Sequence, residues 1–368
     1  MSQTLALRTI AAGIRADVPV LVWGNPGVAK TATLTALGKT CGFHTEVIVG
    51  GNREATDFIG LPYEDDGTTG YLGLGWAERL RRSEKGLLII DELTTAAPSV
   101  QKAMLRVLQE RMVGDTPLPD HVRVIAIANP PETAADGWDL PAPVANRFMH
   151  VDWQFDAESW FLGMSAGFDN IDIPTLDDIL GPENPSAAAR AKGAITAFAR
   201  ANRHLLNPNP PSDAAEAGRA WPSPRSWHNA AEALAAAKPG DEDVAHLIVK
   251  GCAGEAAAIE FQAWLATADL HDPAEVMADP AIVRWRSERP DRLFALCSSV
   301  TALVASSGTT VDWKAGCRVF AACAEGGKPD VATPFIQQMH AMKPEGANFD
   351  AEVLRAFADL YRRMGAIA

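Results

Sequence analysis

Residues 22–34 read VWGNPGVAKTATL. A short β-branched run ends at Trp23, a Gly- and Pro-rich turn follows, and Lys30 and Thr31 open a stretch of helical character. The spacing fits G-x-x-x-x-G-K-[ST] with one departure, since the glycine expected before the lysine is Ala29. In such a turn the backbone N–H groups, aligned with the positive end of the next helix, cradle phosphate oxygens. The lysine adds a point charge and the threonine hydroxyl a Mg²⁺ ligand. An alanine before the lysine costs little if its backbone is helical, and the helix is expected to end near Gly42. Taken alone, the stretch also admits a plain turn before a capped helix, the less favoured of the two readings.

The surrounding chain decides the fold. Short apolar runs recur at VPVLVW (18–23), TEVIVGG (45–51), GLLIID (86–91), VRVIAIAN (122–129) and FMHVDWQF (148–155), separated by longer amphipathic or irregular segments. Continuous apolar strands need covering on both faces, so the pattern predicts a parallel five-stranded sheet in a three-layer α/β domain over residues 1–155. Two excursions interrupt it. EDDGTTGYL, within an insert over about 52–80, and ERMVGDTPLPDHVRV, spanning about 110–124, both read as hairpins. After residue 155 the texture becomes Ala-rich and helical, broken at NPNPPSD, HDPAEVMADP and KPEGANFD.

Polar residues fall at the ends of these runs. GLLIID is followed by Glu92, and a strand ending in Asp91-Glu92 offers one carboxylate to hold a metal and another to act as general base on an attacking water. Asn129, at the end of VRVIAIAN, can orient the same water. Arg147 lies in a loop before the last strand and Arg225 at a helix start. Each has a bland reading singly; five polar positions in this order do not.

Composition narrows the class. With 47% hydrophobic and 21% charged residues among 368, the chain has the make-up of a soluble globular protein large enough for two or three domains. A net charge of -13 disfavours non-specific nucleic-acid binding. The five cysteines show no C-x-x-C spacing, so neither a disulfide framework nor a zinc knuckle is indicated. No apolar run reaches the ~18 residues that span a bilayer, and the N-terminus lacks a signal-peptide pattern, so a cytoplasmic location is expected.

GNPGVAKT, LLIIDEL, IAIANPPE, ANRF and SPRS together resemble a MoxR-type AAA+ ATPase of the P-loop NTPase superfamily, over residues 18 to about 240. The resemblance makes Gly24, Asn25, Pro26, Gly27, Val28, Ala29, Lys30, Thr31 and Ala32 the nucleotide-binding Walker A segment. It makes Asp91 and Glu92 Walker B, Asn129 sensor 1, Arg147 the arginine finger and Arg225 sensor 2, with Thr31 and Asp91 holding Mg²⁺ beside ATP. The excursions become the helix-2 insert and the pre-sensor-1 hairpin. Residues 156–270 become linker and α-helical lid, leaving 271–368 as an α-helical C-terminal extension outside the family pattern. The family implies a homo-oligomer, a hexameric ring, that remodels or matures a protein client, often a von Willebrand factor A domain protein. A nucleotide-regulated scaffold without turnover and a DNA-associated motor are the alternatives; the acidic charge and the lack of an aromatic-plus-basic stripe weigh against the second.

Overall fold

The computed structural model describes residues 3–130, 137–167 and 173–358, with Asp65 and Gln109 described by backbone alone. The tail of IAIANPPE and the end of the C-terminal extension lie outside the described residues.

Nine strands form among the described residues, β1 (Val20–Trp23), β2 (His44–Val49), β3 (Pro62–Asp65), β4 (Thr68–Tyr71), β5 (Gly86–Asp91), β6 (Met112–Val113), β7 (Thr116–Pro117), β8 (Val122–Ala128) and β9 (Met149–Asp152). Five of them, the five apolar runs of the sequence, make one parallel sheet in the order β2-β5-β8-β1-β9. The interior strands β1, β5 and β8 are buried almost throughout because helices cover both faces, whereas the edge strand β2 is largely open. Ile48, Leu88, Ile90, Val124 and Ala126 pack from one face against Phe58, Met104 and Val107.

The two excursions are hairpins. In β3–β4 the turn residues Asp66 and Gly67 both have positive φ, 48° and 78°, which the Asp-Gly pair tolerates. The β6–β7 turn passes through Gly114, and the Asp115 carboxylate accepts the Tyr71 N–H at 2.8 Å, tying one hairpin to the other.

Several prolines of the helical half start helices. Pro185, Pro224, Pro273, Pro290 and Pro329 each stand at the beginning of one, where a missing N–H costs nothing, and Asn184, Ser223 and Asp272 cap three of them from the preceding position. The chain clusters into two units, residues 1–182 with 208–258 and residues 183–207 with 259–368. In the second unit the helix Pro185–Ala201 lies against Pro290–Ser307. Gly193 permits the approach, since a Cβ there would collide with Ser299 Oγ and the Ala295 carbonyl. The rest of that unit packs around Trp313, Phe320, Leu296, Phe335 and Ile336. Among the described residues no helix is long and apolar enough to cross a membrane.

Candidate nucleotide-binding site

In the sheet β1 lies between β8 and β9, and its neighbours lead on to β5 and β2, so the chain reverses its order at β1. Open α/β sheets bind ligands at the C-terminal ends of strands beside such a switch. The loop after β1 begins with Gly24, whose N–H donates to the Ala128 carbonyl of β8. It turns through Gly27 at φ 78° and enters the helix Lys30–Thr40, which ends as expected, with Cys41 as its cap and Gly42 at φ 74°.

Ala29 departs from expectation. It adopts φ 60°, ψ 23°, left-handed and not helical, so it occupies a conformation that the glycine of the consensus takes freely and a Cβ resists. The strain is worth about 1 kcal/mol. Its carbonyl accepts both the N–H and the hydroxyl of Thr33, which holds the residue in place. Ala29→Gly should therefore raise stability by up to about 1 kcal/mol in urea unfolding; an unchanged or lower midpoint would place the strain elsewhere.

A second residue missed in the sequence braces the loop. Trp153, just past β9, donates its indole N–H to the Val28 carbonyl at 3.2 Å, and its own backbone stands so near Gly24 that a Cβ there would lie 3.0 Å from the Trp153 carbonyl oxygen. The β-branched pattern marked this tryptophan only as strand.

Lys30 is 7% exposed, and its three ammonium protons are all used. They reach the carbonyls of Gly24 (2.7 Å) and Asn25 (2.8 Å) and Asn129 Oδ1 (3.1 Å). Burial pulls its pKa down, and the Asp91 carboxylate acts in the opposite direction. Thr31 donates its hydroxyl to Asp91 Oδ2 at 2.6 Å, while Asp91 Oδ1 accepts the Glu92 N–H at 2.8 Å. Glu92 takes a left-handed backbone (φ 54°, ψ 43°) that turns the chain sharply off β5, and it is exposed. Gly51 leaves room for it, since a Cβ there would stand 3.0 Å from Glu92 Oε2. Lys30, Thr31, Asp91 and Asn129 thus form one bonded group at the ends of β1, β5 and β8, with Glu92 at its rim.

Arg147 and Arg225 belong to a second group. Arg147 has its pKa lowered by burial and, secondarily, by the positive charge of Arg225. Asn146, 5% exposed, ties the stretch before Arg147 to the one before Arg225. Its amide donates to the Trp221 carbonyl at 2.9 Å and its Oδ1 accepts the Ser223 hydroxyl at 2.6 Å. Asn229 adds a bond to the Arg147 carbonyl, and Arg147 itself donates to the Pro143 carbonyl. ANRF and SPRS contained both connecting residues, but nothing in their spacing pairs Asn146 with Ser223.

Beneath the loop, His150 accepts the Trp23 indole N–H at Nδ1 and donates from Nε2 to the Ala145 carbonyl. Burial lowers its pKa to about 4, so the imidazole is neutral at pH 7 in this tautomer.

A family model for AAA domains of the dynein-related subfamily matches residues 19–148, which contain every residue of the first group together with Arg147. The chain carries an AAA+ domain. The matched residues contain the loop after β1 and almost all of the parallel sheet, whose last strand β9 begins at Met149. Among curated proteins it resembles midasin of Giardia intestinalis, 26% identical over 186 residues, which are 47% of this chain. The match spans only 4% of that relative's length. Among solved structures, a Cytophaga hutchinsonii protein described as a candidate ATPase aligns over 69% of this chain and 82% of its own, at 22% identity and a TM-score of 0.46. The AAA+ assignment draws on the family match and on the arrangement of the chain itself.

Proposed function

We propose that the chain is a Mg-ATP-dependent, ring-forming ATPase of MoxR type, coupling hydrolysis to the remodelling or maturation of a protein client in the cytoplasm. The bonded group of Lys30, Thr31, Asp91 and Asn129 is the observation that carries this reading. The loop 24–32 offers backbone N–H groups to phosphate oxygens, and Lys30 exchanges its bonds to loop carbonyls for bonds to the β- and γ-phosphates. The Thr31 hydroxyl and the Asp91 carboxylate, hard oxygen donors 2.6 Å apart, fit Mg²⁺. Bound there with the nucleotide, the ion neutralises charge on the phosphate oxygens. Glu92 accepts the proton of the attacking water and Asn129 positions that water. Arg147 serves the nucleotide of a neighbouring copy, and Arg225 contacts the phosphates of its own. A homo-oligomer, hexameric by resemblance, and a von Willebrand factor A domain client complete the reading.

Lys30→Ala tests the phosphate contact. Removing the charged partner of a desolvated phosphate costs about 2 kcal/mol or more, so Mg-ATP should bind at least ~30-fold more weakly by titration calorimetry. Equal affinity in mutant and parent would refute the loop's assignment.

A further inference from the structure

Just after β9 the helix Ala157–Ala166, sequence AESWFLGMSA, is well built and poorly covered. Asp156 caps it, accepting the Glu158 N–H at 3.2 Å and the Ser159 hydroxyl at 2.6 Å. Yet Phe155, Trp160, Phe161, Leu162 and Met164 are each 41–65% exposed. A helix with apolar residues around most of its circumference is ordinarily enclosed. At ~150–250 Å² for a fully buried large side chain, these five leave roughly 500 Å² of apolar surface open. That is near the upper end for the largest patch on a monomer and more than half of the roughly 800 Å² per partner of a standard interface.

We infer that this helix is a contact between copies of the chain. Charge selects a copy as occupant. Each chain carries -13 overall, whereas the helix holds a single charged side chain, Glu158, so two copies approach at least electrostatic cost through a surface of this kind. Position supports the same occupant. Only Gln154, Phe155 and Asp156 separate the helix from Trp153, whose indole holds the Val28 carbonyl of the phosphate loop. A copy seated on the helix would therefore load the segment that braces the nucleotide loop, as an assembly with shared nucleotide sites requires.

The inference rests on the oligomeric part of the proposed function and names its surface. Sedimentation velocity of the full chain, with and without Mg-ATP, should show an oligomer that Phe161→Glu with Leu162→Glu weakens by roughly 30-fold or more, the effect of losing a central contact. At a concentration where the parent is itself monomeric, the thermal midpoint should stay parental, since both side chains are exposed within one chain. Leu162→Ser, which adds no charge, should shift the equilibrium the same way if the double variant misfolds. A parent that sediments as a single chain under both conditions, or variants that keep the parental mass, would overturn the inference. So would a lowered thermal midpoint at unchanged mass, which would mean that the chain's own residues cover the helix. Calorimetry keeps the two readings apart. A monomeric variant that binds ATP leaves the phosphate site intact, and an oligomeric parent that binds none removes the proposed function while the surface stands.

Discussion

Arg147→Ala should bind ATP with near-parental affinity and hydrolyse it about 10³-fold more slowly. An arginine supplied to a nucleotide from a neighbouring chain stabilises charge that develops only in the transition state, and such residues are worth on the order of 10³–10⁵ in rate. Burial and, secondarily, the charge of Arg225 lower the pKa of its guanidinium, and Asn146 fixes the adjoining loop. A single-chain mechanism and a shared one differ in what mixing does. Combined with Lys30→Ala, the variant should regain activity, because a Lys30→Ala copy retains Arg147 and an Arg147→Ala copy retains an intact phosphate loop. Neither protein alone should turn over at a useful rate. If light scattering confirms mixed oligomers and phosphate release stays at background, Arg147 does not act across an interface.

Glu92→Gln should bind ATP and lose about 10²-fold or more in turnover, the usual contribution of a positioned general base. The amide keeps the shape of the side chain, and the Asp91 bond to the residue 92 N–H is untouched, so the turn off β5 survives the change. Binding by calorimetry and steady-state phosphate release together read the two effects. Turnover within a few-fold of the parent would exclude Glu92 as the base. A parent that binds ATP and releases no phosphate would instead favour a nucleotide-regulated scaffold. Trapped with ATP, the Glu92→Gln protein is also the better bait for a client.

The sheet was legible because its cause is local. A strand covered on both faces must be apolar at successive positions, and the runs ending at Trp23, Asp91 and Ala128 are apolar for that reason. The loop's backbone was only partly legible. An alanine at position 29 is cheap only with helical dihedrals, and its identity does not say which dihedrals the loop imposes; they are left-handed. The supports of the site were silent for another reason. Trp153 and Val28 are 125 positions apart and Asn146 and Ser223 are 77 apart, so their bonds arise from the fold's topology and leave no periodic trace. The residues SAAARAKGAITAFARA likewise read as helix, but their packing on Pro290–Ser307 depends on a fit at Gly193 that only the partner helix reveals.

The division of the helical half governs what can be removed from this protein. The backbone passes between the two units three times, at 182/183, 207/208 and 258/259. A single proteolytic nick therefore cannot release either unit, and a truncation after residue 258 does not yield a clean AAA+ fragment. It would leave Pro185–Ala201 attached while deleting the helix it packs on, taking Ser299 and Ala295 from Gly193 and Phe261 and Trp264 from Phe198. Such a fragment would be prone to aggregate, whereas excising 183–207 together with everything beyond 258 removes the second unit whole.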